Sequence, residues 1–187
     1  MPTAQVWRGN EKIVPIPRQE KEISQIEFTR SNEVSQTIES FLDDTYTDGF
    51  LVMADGYIVH ESYYNGMRPE TPHLMQSVSK SITSTVTGIM IGRGDLDSSA
   101  LVKTYIPELA ETAWAGATLQ HVLDMTTGVQ YSEEYTRLDS DVGKTDVASG
   151  WRPIAPDASP DISWPASVWD QILSLKTCDA EHGSRFL

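Results

Sequence analysis

The chain has 187 residues, which is enough to bury a substantial core as one domain. Its formal net charge of −13 argues against nucleic acid and anionic membranes as partners, because both bind basic protein surfaces. The single cysteine, Cys178, excludes an internal disulfide, and no apolar run is long enough for a membrane-spanning helix. No secretory signal is recognisable, so we expect a cytoplasmic protein.

The N-terminal region carries three prolines and scattered charges without a sustained apolar period. We therefore expect an extended arm over residues 1–30, followed by one domain over residues 31–187. Apolar side chains then recur at helical spacing, which predicts a helix over about residues 33–43. Ser31 or Asn32 is in position to cap this helix.

A β-hairpin is predicted next. Residues 50–53 and 57–64 are apolar or rich in aromatic and β-branched side chains, and they flank the turn sequence Ala54-Asp55-Gly56. From Val78 onward the apolar residues recur at helical spacing until the glycines around Gly94. Small, weakly polar residues lie between them, which predicts a buried helix packed on more than one side.

The remaining elements are predicted from caps and breakers. A short helix should end before Pro107, and Thr118 should cap a helix that reaches about Met125. Residues 129–165 are rich in glycine and proline and are predicted to form a long loop. A last helix is expected around residues 168–175.

One pattern could carry chemistry. Ser77 stands at the predicted start of the buried helix, and Lys80 follows three residues later, on the same face. A serine hydroxyl needs a base to act as a nucleophile, and a neutral lysine kept uncharged by burial can accept its proton. The free N–H groups at the start of a helix can also bind an oxyanion. Without its surroundings the spacing is also typical of a capping serine and a surface lysine.

The surroundings of Ser77 resemble a known family. The motif around Ser77 is similar to the first active-site motif of the class C β-lactamase, penicillin-binding-protein and family VIII esterase superfamily. The flanking sequence is similar to the 6-aminohexanoate-dimer hydrolase branch of that superfamily. The resemblance runs collinearly over about residues 40–187. It is carried by 45–52 (TYTDGFLV), 61–64 (ESYY), 75–81 (MQSVSKS), 105–109 (YIPEL), 122–125 (VLDM) and 150–152 (GWR). The resemblance implies an α+β fold, an antiparallel sheet packed by helices with a helical subdomain.

The resemblance also implies roles for individual residues. Ser77 would be the acylated nucleophile and Lys80 its base partner in the hydrolysis of a small-molecule amide or ester. Tyr135 would hold the substrate amide, while Asp146 and Trp151 would line the substrate pocket, where an acidic side chain suits an ammonium group. The alternatives are that Tyr135 and Trp151 pack the long loop and that Asp146 is solvated.

The sequence departs from the superfamily pattern in its later motifs. The tyrosine motif that supplies a second general base and the late Lys-Thr-Gly or His-x-Gly strand are not in the chain; Lys144-Thr145-Asp146 lacks the glycine and falls in the predicted loop. We therefore expect the N-terminal part of a longer enzyme, with little or no activity by itself. The alternative is a non-catalytic truncated member or an interaction module.

No cofactor or metal is expected. Cys178 and His182 are four residues apart and could face a metal together, but no further ligands cluster near them in the sequence. Neither a phosphate-binding loop nor a Gly-x-Ser-x-Gly nucleophile motif is present. The sequence leaves a homodimer open.

Overall fold

The computed structural model describes residue 6, residues 9–31 and residues 34–186. It divides into two compact units, which we call the N-terminal unit, ending at Met75, and the C-terminal unit, beginning at Gln76. Asn32, which was predicted as a capping residue, and the first residues of the predicted N-terminal arm lie outside the described residues.

The N-terminal unit is built from two small antiparallel sheets and one helix. In chain order its elements are β1 (Glu27–Thr29), β2 (Ser35–Thr37), α1 (Ile38–Asp44), β3 (Gly49–Ala54) and β4 (Tyr57–Tyr63). β1 pairs with β2, and β3 pairs with β4. Leu42 of α1 and Ile58 and Val59 of β4 are its buried apolar residues.

The predicted β-hairpin is confirmed. β3 and β4 are antiparallel, with Gly49 opposite Tyr63 and Ala54 opposite Tyr57. The two residues between the strands have positive φ angles, and Gly56 adopts this conformation at no steric cost, with φ at 81°. Two consecutive residues with positive φ are what a tight hairpin turn requires, which is why the Asp-Gly sequence predicted it.

Residues 17–21 of the predicted N-terminal arm run beside β4. The Ile58 N–H donates to the Pro17 carbonyl at 2.9 Å, and the Ile58 carbonyl accepts from the Gln19 N–H at 2.9 Å. Arg18 lies between these two contacts and donates to Glu61 at 2.6 Å. Residues 17–19 therefore extend one edge of the hairpin by a short parallel bridge.

The predicted start of the first helix was wrong. α1 begins at Ile38, and Thr37 caps it by accepting a hydrogen bond from the Ser40 N–H at 3.2 Å. The residues before Thr37 form β2, whose backbone groups pair with β1. Because this ladder uses the backbone of Ser35 to Thr37, the helix starts only where the ladder ends, and Ser31 is not its cap.

The C-terminal unit is mainly helical. Its elements are α2 (Val78–Arg93), α3 (Val102–Tyr105), a 3₁₀ helix (Pro107–Glu111), α4 (Leu119–Leu123), α5 (Asp141–Ala148) and α6 (Val168–Ser174). Val102, Leu109 and Ala117 form its buried core, and Trp114, Ile172 and Leu173 pack against it. No helix among the described residues of the whole chain is long and apolar enough to cross a membrane.

The bounds predicted for α2 are confirmed, but its predicted burial was wrong. The helix begins directly after Ser77 and ends at Arg93. Gly94, with φ at 80°, caps it, and its N–H closes the last turn. None of its residues is buried, and Val78, Ile82 and Val86 each expose more than half of their surface. The reason is that no other described helix or strand of the C-terminal unit packs extensively against α2.

The prediction for α4 is confirmed at its start. The Thr118 hydroxyl accepts from the His121 N–H at 3.2 Å, and His121 Nδ1 accepts from the Thr118 N–H at 3.3 Å, which together make a capping box. The helix ends earlier than predicted, at Leu123. Met125, with φ at 55°, turns the chain away.

The predicted loop over residues 129–165 contains a helix, α5, so that prediction was wrong for residues 141–148. The buried Ser140 caps α5 by accepting from the Gly143 N–H at 3.1 Å. Gly143 lies so close to the Leu138 carbonyl oxygen that a β-carbon would collide with it. A glycine therefore lets the helix start here, although in the sequence it favours a loop.

Candidate active site

Ser77 and Lys80 lie on the first turn of α2. The Lys80 Nζ atom is 3.0 Å from the Ser77 Oγ atom and donates a hydrogen bond to it. The pairing follows from the helix, because residues three apart share a face. Both side chains are exposed, so the apolar surroundings expected for Lys80 are not provided by the described residues.

The backbone before Ser77 makes a sharp turn. Gln76 has a φ of 47°, a left-handed conformation that costs a residue with a side chain about 1 kcal/mol or more. Its carbonyl oxygen accepts from the Ser79 N–H at 3.1 Å and from the Ser79 hydroxyl at 2.6 Å. These two bonds close the first turn and fix Ser77 at the start of the helix.

Tyr135, Asp146 and Trp151, the other predicted site residues, meet around the end of α5. The Asp146 carbonyl accepts from the Trp151 N–H at 2.9 Å and from the Arg152 N–H at 3.3 Å. Gly150, with φ at 74°, turns the chain so that these two bonds can form. Trp151 is therefore held directly after the helix that carries Asp146.

Arg152 links this group through its side chain and was not assigned a role from the sequence. Its Nη1 atom is 3.4 Å from Asp146 Oδ2 and 3.5 Å from the Tyr135 carbonyl oxygen. Tyr135 is 17 positions earlier in the chain, so no local sequence pattern could reveal the contact. We call Tyr135, Asp146, Trp151 and Arg152 the Arg152 cluster.

The two aromatic rings of the Arg152 cluster face solvent. Tyr135 exposes 62% of its surface and Trp151 exposes 55%, so neither serves mainly to pack the segment. The Tyr135 hydroxyl donates to Glu133 at 3.3 Å. The negative charge of Glu133, followed by partial desolvation, raises the pKa of Tyr135, so this hydroxyl stays protonated and can donate a hydrogen bond.

The structure brings the predicted residues together as two groups. Ser77 and Lys80 form one, and the Arg152 cluster forms the other. Within the described ranges, no hydrogen bond or ion pair joins a side chain of the first group to the second. The segment Lys144-Thr145-Asp146, predicted to lie in a loop, is part of α5.

Cys178 and His182 make contacts of their own. Cys178 Sγ donates to the Ala113 carbonyl at 3.4 Å, and His182 Nδ1 contacts the Thr127 carbonyl. The His182 ring stacks on His121, with ring centres 6.2 Å apart. Among the residues that the structure describes, no group of three or more histidine, cysteine or acidic side chains could hold a metal ion.

Comparison with known proteins adds to this geometry. Residues 34–173 match the family described as Beta-lactamase, and this span is most of the chain. The chain belongs to the beta-lactamase family. All five residues predicted for the site, from Ser77 to Trp151, lie inside the matched span.

Individual relatives carry related names. The chain is 39% identical over 115 residues to a 6-aminohexanoate-dimer hydrolase of Paenarthrobacter ureafaciens; the match covers 62% of this chain and 29% of the relative. It is also similar to the solved structure of a candidate 6-aminohexanoate-dimer hydrolase from Bacillus anthracis, with a TM-score of 0.76 and 27% identity. That match covers 94% of this chain and 45% of the other.

These matches confirm the predicted fold class. The chain has the mixed helix and strand content of a β-lactamase-like α+β fold and covers part of it. It spans less than half the length of the relatives it matches. The beta-lactamase family and the relatives named hydrolases make this chain a member of an enzyme family.

Proposed function

We propose that the chain carries the acylation site of a serine hydrolase that acts on amides or esters. The observation that supports this most is the 3.0 Å hydrogen bond between Lys80 Nζ and Ser77 Oγ at the start of α2. A nucleophile and a base within hydrogen-bond reach are the minimum that acyl transfer needs.

The proposed reaction has two halves. The uncharged amine of Lys80 takes the hydroxyl proton as Ser77 Oγ attacks the carbonyl carbon, and the leaving group departs with a proton as the acyl-enzyme forms. Water then attacks the ester on Ser77 and releases the acid. At the start of α2 the N–H groups of Ser79 and Lys80 already donate to the carbonyls of Gln76 and Ser77. The developing oxyanion would therefore be bound by the N–H groups of Ser77 and Val78.

The exposure of Lys80 bears on its role as a base. Removing water from an amine favours its uncharged form, which alone can accept a proton. An apolar substrate chain lying over the first turn of α2, where Val78 and Ile82 are exposed, would remove that water.

For the substrate, we propose a linear amide that carries an ammonium group. The relatives are named for the 6-aminohexanoate dimer, which is such a compound at neutral pH. In this chain the carboxylate of Asp146 would bind the ammonium group. The protonated hydroxyl of Tyr135 would turn from Glu133 to donate to the amide. The exposed ring of Trp151 would cover the methylene chain.

A burst experiment with a chromogenic ester tests the acylation. The p-nitrophenol released at first should approach one equivalent per chain, and the burst should vanish in Ser77→Ala and persist in Ser81→Ala, an exposed serine on the same helix. The later steady rate should be slow, because the tyrosine motif that the superfamily uses as a second general base and acid is not among the 187 residues. A burst that is absent, or equal in Ser77→Ala, would contradict the proposal.

The exposure of α2 favours a second candidate, a non-catalytic binding module. Its uncovered side chains Val78, Ile82, Val86 and Ile89 recur at helical spacing and offer an apolar surface to another protein. A second copy of the chain would make this a homodimer, which sedimentation would detect as a mass that falls on Ile82→Gln. The binding-module function is supported if the ester burst is absent and the mass measured by sedimentation falls on Ile82→Gln.

A further inference from the structure

Asp146 and Arg152 form an ion pair in a stretch, residues 131–152, that has more acidic than basic residues and also contains Lys144. Glu133, Glu134 and Asp141 lie in the same stretch. Among the described residues, the Arg152 guanidinium makes the only ion pair to Asp146. Arg137 pairs with Asp139 rather than with Asp146, through two hydrogen bonds of 3.1 and 2.7 Å.

The contacts of Arg152 are long. One nitrogen, Nη1, serves both Asp146 Oδ2, at 3.4 Å, and the Tyr135 carbonyl, at 3.5 Å. A charge-assisted hydrogen bond of good geometry is about 2.7–2.9 Å long. The pair is thus loosely held, and both side chains are reachable from solvent, with 37% of Arg152 and 26% of Asp146 exposed.

We propose that Arg152 determines the substrate specificity of this site by competing for Asp146. In the free protein its guanidinium occupies the carboxylate, and a substrate ammonium group takes its place on binding. This inference rests on the proposed function, which assigns Asp146 to the ammonium group of the substrate.

The exchange follows from the charges. A compact ammonium can approach Asp146 Oδ2 to normal hydrogen-bond length, which the guanidinium does not reach in this geometry. The displaced guanidinium can keep its contact to the Tyr135 carbonyl and turn towards solvent. A ligand without a positive charge gains nothing from Asp146, so Arg152 lowers the affinity for cationic ligands and leaves the affinity for neutral ones unchanged.

Removing the charge of Arg152 should therefore raise the affinity for an ammonium ligand. Arg152→Gln frees the Asp146 carboxylate and should tighten the binding of an ammonium ligand by about two- to fivefold, the range that one exposed ion pair can exert. Arg152→Lys keeps the charge and should bind like the original chain. In an Asp146→Asn background, Arg152→Gln should not change the affinity for the ammonium ligand, because there is no carboxylate left to compete for.

The probe is the 6-aminohexanoate dimer, followed by NMR through the indole N–H of Trp151, which a Trp151→Phe variant assigns. The N-acetylated dimer, whose amine is blocked, serves as the neutral ligand. Each is titrated into the original chain, Arg152→Gln, Arg152→Lys, Asp146→Asn and the double variant at low salt. The spectra of the free proteins show whether each variant is folded.

The outcomes separate this inference from the proposed function. The inference is supported if Arg152→Gln tightens the dimer but not its acetylated form, and if Asp146→Asn removes the gain. It is overturned if Asp146→Asn weakens the dimer while Arg152→Gln leaves it unchanged or weakens both ligands alike, as a merely structural arginine would. If Asp146→Asn leaves dimer binding unchanged, or if the dimer does not bind at all, the proposed role of Asp146 in substrate binding is wrong. The role proposed for Arg152 is then wrong as well, because it depends on Asp146.

Discussion

Lys80 Nζ lies 3.0 Å from Ser77 Oγ, one turn along the exposed helix α2. If Lys80 is the base, replacing it by methionine should keep the helix and remove the proton acceptor. The acylation rate of Ser77 should then fall by about 100-fold or more, the lower end of what general-base catalysis contributes. The measurement is the rate of the p-nitrophenol burst at neutral pH.

The matched control for that change is Lys12→Met, which removes an exposed lysine from the N-terminal unit. Its burst rate should equal that of the original chain. Equal bursts from Lys80→Met and Lys12→Met would show that Lys80 is a neighbour of Ser77 without a role in its reaction.

A pH-dependent contact holds the segment that leads to Ser77. His73 Nε2 lies 2.9 Å from Asp48 Oδ2, and His73 Nδ1 lies 3.1 Å from the Leu74 carbonyl oxygen. Since both neighbours are acceptors, both ring nitrogens can donate only in the imidazolium form. The hydrogen bond to Asp48 raises the pKa of His73, and the hydrogen bonds from His73 and Asn65 lower the pKa of Asp48.

The signs of these two shifts define a pH window. The raised pKa of His73 means that its stabilisation is complete below its ordinary pKa and is lost as the pH rises through the raised value. The lowered pKa of Asp48 means that its stabilisation is present above its ordinary pKa and is lost as the pH falls through the lowered value. The stabilisation should therefore be complete between the ordinary pKa of Asp48 and the ordinary pKa of His73, and it should be lost beyond the lowered Asp48 value and the raised His73 value.

NMR titration of the His73 ring tests this window. In Asp48→Asn the pKa of His73 should drop towards its ordinary value, because the hydrogen bond that raises it is lost. Asp55→Asn, which removes an exposed carboxylate from the hairpin turn, is the control and should leave His73 unchanged. An unaltered His73 titration in Asp48→Asn would disprove the ion pair.

Two glycines in helices should respond oppositely to alanine. At Gly143 of α5 a β-carbon would collide with the Leu138 carbonyl, so the substitution should destabilise the unit by about 1–3 kcal/mol. At Gly88 of α2 the space is open, so alanine should be neutral or stabilise by up to about 1 kcal/mol. Urea unfolding followed by circular dichroism compares the two, and a loss at Gly88 as large as at Gly143 would contradict the structure.

In the C-terminal unit, truncation to alanine should cost more unfolding free energy at a core position than at a surface position. Leu109 is buried beside Val102 and Ala117, and truncation to alanine should lower the free energy of unfolding by about 2–5 kcal/mol. Ile89 of α2 is 49% exposed, so Ile89→Ala should cost less than about 1 kcal/mol. Comparable losses for the two variants in urea unfolding would mean that α2 is packed in solution.

Features encoded by neighbouring residues could be predicted from the sequence. The Asp55-Gly56 turn, the Thr118 cap and the glycine that ends α2 each act within one turn of chain, so local chemistry decides them. The hydrogen bond between Ser77 and Lys80 belongs with these, because helical spacing alone places the two residues together.

Features that depend on residues far away in the sequence could not be predicted. The start of α1 depends on the pairing of β2 with β1, and α5 depends on a close contact between Gly143 and the Leu138 carbonyl. The burial expected for α2 needs a partner that the described part of its unit does not supply. Arg152 was missed because its contact with Tyr135 joins positions that share no sequence pattern.

The central claim, that Ser77 is the acylated nucleophile, is tested most directly with a fluorophosphonate probe and mass spectrometry of the labelled chain. We predict one adduct on the peptide that contains Ser77, which is lost in Ser77→Ala and kept in Ser81→Ala. An adduct on another residue, or labelling of Ser77→Ala equal to that of the original chain, would contradict it.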